Sequence, residues 1–377
     1  MLGVNMKKVI VSLCLLVFLA ALVQAEQFRV LAAKATVLEV SEELAEEEQD
    51  EFTEESYTRK VQMVKVKVTC GKYKNQTLLI QNEVSSEFLG AISAKVGDKL
   101  IVDIIEEDGF FQSAHVADYQ RDWFVFLLIA IFILVLVEIG HYSGLKALGS
   151  LVLTFLLLGK VLLPLILRGY NPILLASLIS IVITFVTLLI TNGVSLKSWA
   201  AIIGIITGLI VAAGLAILGS KLINLTGLSM DEASVLWILT DGKLNFAGLL
   251  TAGIIIGSLG AVMDVAVSIA SSMNEIADLN PDLNFKELFA TGINVGRDIS
   301  GTMSNTLILA YAGSSLPLLL LLQANSVQFL KIINMDMIVG ELVRGLAGSI
   351  GLMITIPITA LMMAIFRTTL VPKDYYL

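Results

Sequence analysis

From Trp123 onward the chain is a succession of long apolar runs, and this feature limits its fold more than any other. Seven spans are expected, at about 123–140, 147–167, 172–191, 198–219, 245–272, 300–322 and 337–366. As helices rising about 1.5 Å per residue, each can cross about 30 Å of hydrocarbon. Backbone groups find no water there, so helices are the way to cross short of a closed barrel. Trp123, Tyr170 and Trp199 fall at the expected interfaces, where amphipathic rings are favoured. Composition agrees: only 15% of residues are charged, against about 25% in a typical soluble domain. That argues against a purely soluble enzyme and excludes a disordered or disulfide-stapled chain.

Residues 1–25 read as an export signal. Lys7 and Lys8 precede an apolar stretch from Val9 to Val23, and Val23-Gln24-Ala25 has small residues at the offsets a signal peptidase uses. Whether cleaved or kept as an anchor, it sends residue 26 onward outside. Positive charges in the segments between spans divide almost evenly, so they set no orientation of their own. Seven spans after an exported domain leave the C-terminus in the cytoplasm.

Residues 26–122 have strand periodicity. Val64-Lys65-Val66-Lys67-Val68 alternates apolar and charged, as a half-buried strand does. Similar runs at Phe28–Val40, Leu78–Ile80, Leu100–Ile104 and Phe110–Tyr119 predict about five strands and a small all-β, OB-like barrel. This segment holds 20 acidic and 11 basic residues, so the acidic excess of the chain belongs to it. It has no basic groove for nucleic acid; Phe110-Phe111 is preceded by Glu106, Glu107 and Asp108. The acidic block Glu42–Glu55 lacks EF-hand spacing and reads as a solvated loop or frayed helix rather than a calcium site. Cys14 and Cys70 form no framework, and His115 and His141 lie far apart, so no Cys/His metal cluster is legible. No cofactor is expected, and the residues name no metal.

Ionisable groups within spans ask for a reason. Asp264, Ser268, Ser271 and Glu275 follow i, i+4, i+7, i+11 spacing, one face of a helix. Gly257 and Gly260, just before them, permit close approach of another helix. Asp298, Thr302 and Asn305 repeat the pattern in the next span, which runs the opposite way, so the two faces are expected to meet in the inner third of the membrane. Pro357, with Thr355 and Thr359 beside it, and Glu138 are expected near that level. Carboxylate, amide and hydroxyl oxygens suit a hard cation, a proton or a polar solute, and transporters place such groups where helices break. The bland alternative is a hydrogen-bonded cluster that holds helices together. Lys160 either pairs with Asp264 or Glu138 or extends its stem to the interface. Glu341 and Arg344 have the spacing of a local ion pair. Asn284 and Glu287 are spaced as a capping box for a short helix from Phe285 to Thr291. GSLGAVMDVAVS (from Gly257) and GSIGLMITIPIT (from Gly348) echo one another weakly.

The layout of export signal, β domain and seven spans resembles the YibE/F-like family of bacterial multipass membrane proteins. The resemblance is densest in GSLGAVMDVAVSIASSMNEI and GRDISGTMSNTLILAYAGSSLP, and extends to QTLLIQNE and VADYQRDW in the outer domain. It implies a bacterial plasma-membrane protein and implies no catalytic residue. Asp264, Asn274, Glu275, Asp298, Thr302 and Asn305 carry across as family-typical polar positions.

The expected organisation is therefore a signal over 1–25, an extracytoplasmic β domain over 26–122 and a seven-helix membrane domain over 123–377. The leading functional expectation is a permease for a small solute or ion coupled through Asp264, working as a single chain, a homo-oligomer or with a protein partner in the bilayer. The alternative is a non-transporting scaffold whose outer domain docks a partner. An intramembrane enzyme ranks last, because the spans hold no metal cluster and their serines lack a histidine base; only Lys160 offers one.

Overall fold

The computed structural model describes residues 29–41, 44–49, 56–84, 92–107, 110–228 and 231–370. The export signal expected over residues 1–25 lies outside them. The chain divides between Val135 and Leu136 into two compact units.

The first unit contains β1 (Arg29–Val40), β2 (Leu44–Gln49), β3 (Ser56–Val68), β4 (Thr77–Glu83), β5 (Lys99–Glu107) and β6 (Phe110–Tyr119). All ladders are antiparallel. The path β4–β3–β1–β5–β6 nearly closes into a five-stranded barrel, with β6 coming back to β4. The sixth strand, β2, comes from the acidic block that was expected to be a loop or frayed helix. Its Leu44 pairs with Val61, which also pairs with Glu83 of β4. So β1 and β2 share one edge of β3 and β4 takes the other. The barrel core follows the alternation read from sequence: Val64, Val66 and Val68 are buried and meet Leu100, Val102 and Ile104. Gln62 and Asn82 are buried too, and their amides hold the chain just before β5. Gln62 donates to the Ala94 carbonyl at 3.1 Å and accepts from its N–H at 3.1 Å, and Asn82 donates to Ile92 at 2.6 Å.

The helical elements are α1 (Asp122–Leu157), a π-helical turn (Leu158–Leu162), α2 (Leu163–Leu167), α3 (Pro172–Thr191), α4 (Leu196–Leu222), α5 (Asp231–Leu239), α6 (Phe246–Leu279), α7 (Phe285–Ser314), α8 (Leu316–Ala324), α9 (Phe329–Ile332) and α10 (Asp336–Leu370). Among the described residues, five helical stretches are long and apolar enough to cross a membrane, and six if the bent pair α7–α8 is one span. This differs from the seven expected, for two local reasons. The runs at 123–140 and 147–167 are arms of one 46-residue stretch broken at His141, whose backbone is non-helical (φ 45°, ψ −125°). A Cβ on Gly144 would lie 2.2 Å from the Leu136 carbonyl oxygen. Residues eight apart in a straight helix are separated by about 12 Å, so the chain bends sharply between them. The second reason is Pro317, which has no N–H to continue a helix and whose ring crowds the carbonyl four residues back. α7 stops at Ser314, and α8 leaves at 59°.

Pro164 produces a milder irregularity. It cannot donate to Lys160, and Leu163 donates instead to the carbonyl five residues back, Leu158, closing the π turn. The expected capping box is present: Glu287 N–H donates to Asn284 Oδ1 at 3.1 Å, and Asn284 N–H to Glu287 Oε2 at 3.0 Å. The helix it starts is not a short surface segment, however. It runs unbroken for 30 residues.

The bundle core is α4, α6, α7 and α10. α4 and α10 cross through small residues. A Cβ on Gly208 would sit 1.9 Å from Thr355 Oγ1, and one on Gly351 would sit 2.6 Å from the Gly208 carbonyl oxygen. α6 and α10 run parallel, and the echoed GSLG and GSIG segments lie side by side: a Cβ on Gly348 would be 3.3 Å from that of Ser258. α7 returns antiparallel, with Gly292 against Met273 and Gly296 against Ile269 and Ile356.

Candidate intramembrane polar site

α6 is 34 residues long. Asp264 lies about 27 Å from Phe246 and about 22 Å from Leu279 along it, at about 1.5 Å per residue. Asp264 thus lies near the middle of α6. Core packing decides which way it points. Val262, Val265, Ala266, Ile269, Ala270 and Met273 are buried at 1% exposure or less. The opposite side carries Gly260, Asp264, Ser268 and Glu275, all exposed, with Ser271 half-buried. The stripe read from spacing thus exists, and it faces away from the bundle core.

α7 divides the same way. Leu288, Gly292, Gly296, Ser304 and Leu307 are buried. Arg297, Asp298, Gly301, Thr302 and Asn305 are exposed. The Gly292–Met273 and Gly296–Ile269 contacts set the register between the helices and place Asp264 opposite Gly301. Asp298, Thr302 and Asn305 therefore lie within about one helical turn, about 5.4 Å, of Asp264 in height. The structure brings these groups to one level. Among the described residues no hydrogen bond or ion pair joins them, and the Thr302 hydroxyl donates to the Ile299 carbonyl in its own helix. A carboxylate at the centre of a membrane-spanning helix costs about 2.5–3.5 kcal/mol on insertion scales.

The secondary positions separate. Thr355 is fully buried, and its hydroxyl lies 3.0 Å from the Gly351 carbonyl and 3.3 Å from that of Gly204, so it serves the α4–α10 crossing. Glu138 is exposed three residues before the His141 break, and Lys160 is exposed on the π turn. Neither forms an ion pair with Asp264 among the described residues.

Two clusters went beyond the sequence reading. The predicted Glu341–Arg344 pair forms at 3.1 Å, with both side chains largely buried. The guanidinium also lies 5.8 Å from the ring centre of Tyr311 on α7. Glu341 borders a cavity of about 160 Å³ reaching Tyr311 and Ser315, and a smaller one of about 30 Å³ reaching Asp336 and Arg344. At the other end of the bundle, Arg367 of α10 pairs with Asp278 and donates to the Asn274 carbonyl at 3.2 Å. The Asn274 amide donates to Asp278 at 2.9 Å. Only the i, i+4 spacing of Asn274 and Asp278 hinted at this; the arginine joins them because α6 and α10 run parallel.

In the barrel, Glu106 is buried at the next inward position of β5 and accepts from Lys72 at 2.7 Å. This hydrogen bond raises the Lys72 ammonium pKa, and the hydrogen bond to Glu106 together with burial pushes the Tyr73 phenol up. Phe111 packs edge-on against Tyr73, with ring centres 6.0 Å apart. Lys34 on β1 pairs with Asp122, which raises the lysine pKa. Among the described residues no group of three or more His, Cys, Asp or Glu side chains is placed to hold a metal ion.

No curated protein and no solved structure matches the chain. Residues 128–369 match the YibE/F-like protein family, and residues 32–119 match the YibE/F family N-terminal domain. With both its barrel and its helical part covered, this membrane protein belongs to the YibE/F-like family.

Proposed function

We propose that this protein is a bacterial plasma-membrane permease for a small solute or ion, with the outward polar face of α6 and α7 along its path and Asp264 as the coupling group. In this reading the barrel lies outside and the C-terminus in the cytoplasm. The carrying observation is Asp264 itself: a carboxylate near mid-height of a 34-residue helix, exposed, with no internal counter-ion among the described residues. A group held there without a partner is available to a passing cation or proton. Thr302 and Asn305 supply oxygen ligands at the same level, which hard cations and polar solutes prefer. A thermal-shift screen of inorganic cations, anions and small polar solutes tests this on purified full-length protein and on Asp264→Asn. A compound that stabilises only the wild type supports the reading. Equal flux of that compound through wild-type and variant proteoliposomes refutes it.

A second reading is favoured by Phe110, which is 78% exposed at the start of β6. A large apolar ring left on the barrel surface suits docking of a protein partner, as a non-transporting scaffold requires. Deleting residues 26–120 then abolishes a pull-down partner and leaves transport assays unchanged.

A further inference from the structure

The glycines of the bundle fall into two groups. Gly204, Gly208, Gly292, Gly296 and Gly351 are needed by the protomer, since a Cβ on any of them would strike a neighbouring helix. Gly253 and Gly260 on α6, Gly301 and Gly313 on α7 and Gly214 on α4 are not: among the described residues a Cβ there would meet nothing within 4 Å, and of these Gly253, Gly260 and Gly301 share their helices' exposed sides with unpartnered charges. Glycine weakens a helix relative to alanine, and among the described residues nothing packs against Gly253, Gly260 or Gly301 to compensate. All three are exposed and belong to the same elements as the unpartnered charges. Small residues in a membrane helix let another helix approach closely.

The charges say which helix. Arg297 and Asp298 are adjacent and exposed, and Asp264 lies opposite Gly301, within about one turn of both. None of the three has a side-chain partner among the described residues. We infer that this face is the contact between two copies of this chain, related by a two-fold axis along the membrane normal. Such an axis preserves depth, so opposite charges pair across it only when they share a level, as the adjacent Arg297 and Asp298 do. A surface with both signs at one height is complementary to itself, which an isologous interface requires. The contact gives Arg297 and Asp298 partners and gives the exposed glycines their close neighbour. The inference concerns what covers the face and stands whether or not a solute moves along it.

Cysteine cross-linking of the full chain in native membranes tests it. In a Cys14→Ser/Cys70→Ser background, Gly260→Cys and Gly301→Cys are oxidised with copper phenanthroline, beside Leu218→Cys on the outward side of α4. A band of twice the chain mass is expected from one or both glycine sites, at least about fivefold stronger than from Leu218→Cys. Arg297→Asp weakens that band at least about threefold, and Arg297→Asp/Asp298→Arg restores it. Equal bands at all three sites mean random collision, a product of another mass means a different partner, and no band means lipid contact; each overturns the inference. Failure of the swap to restore the band also overturns it. None of these readouts measures flux, so the permease reading stands or falls separately.

Discussion

Gly208 and Thr355 meet so closely that a Cβ on the glycine would lie 1.9 Å from the threonine hydroxyl. The same hydroxyl donates within α10 to Gly351, whose own Cβ position is closed by the Gly208 carbonyl. The α4–α10 crossing is thus closed from both sides, and it has no space for a methyl group.

Gly208→Ala therefore destabilises the bundle by about 1–3 kcal/mol, the range for overpacking a filled interior. Gly214→Ala is the control, because a Cβ there meets nothing within 4 Å. Detergent-solubilised protein followed by thermal unfolding checks the pair: Gly208→Ala melts lower, and Gly214→Ala melts at or above the wild-type temperature.

Glu341 and Arg344 form a largely buried pair in which Glu341 Oε2 and Arg344 Nε have no hydrogen-bond partner among the described residues. Removing one partner strands a charge. Glu341→Gln and Arg344→Met are each expected to destabilise by about 3–5 kcal/mol, the range for a broken buried pair, and the double variant by less than the sum of the two. Additive losses in a double-mutant cycle would count against the pair as a unit.

The barrel has a pH signature at each end of the scale. Lys34 and Lys72 are held above the ordinary value of 10.5, mainly by hydrogen bonds to Asp122 and Glu106. A raised lysine pKa means the folded state favours the charged form. Their contribution is complete below 10.5 and disappears as pH rises through the folded values. Asp118 is held below 3.8, mainly by its hydrogen bond to Arg121, so its contribution is present above 3.8 and is lost as pH falls. Proteolysis of the barrel by an alkaline protease should accelerate above pH 10.5, and Lys72→Gln should flatten that rise.

The capping box of α7 holds the first turn of a 30-residue helix. Asn284→Ala should lower stability by about 0.5–2 kcal/mol, whereas Asn284→Asp, which keeps the acceptor, should be nearly neutral. Hydrogen exchange at Leu288 and Phe289 reports the fraying directly.

Much of this architecture was legible beforehand. Val64, Val66 and Val68 enter the barrel core because a strand alternates its faces, and Asn284 caps a helix because its side chain matches the free N–H of Glu287. The failures have physical causes too. Leu44–Gln49 is acidic and reads as a solvated segment, yet it lies on an edge of β3 that β1 leaves open. The runs at 123–140 and 147–167 are arms of one 46-residue stretch, and the place where they part is set by the backbone break at His141 rather than by hydropathy. α7 begins at a surface cap and continues into apolar sequence, and length alone did not reveal that continuity.

The amino-acid order alone determined that the chain builds apolar helices and a β barrel, and that Asp264, Ser268 and Glu275 share one side of α6. Periodicity supplies that much, since it depends only on 3.6 residues per turn. It cannot say whether the stripe faces a protein core or the lipid, because both are apolar and make the same demand on the other residues of the helix. Only the packing of α4, α7 and α10 against Val262, Ala266 and Met273 decided it, by taking the opposite side of α6 for the core and leaving the carboxylate of Asp264 outward.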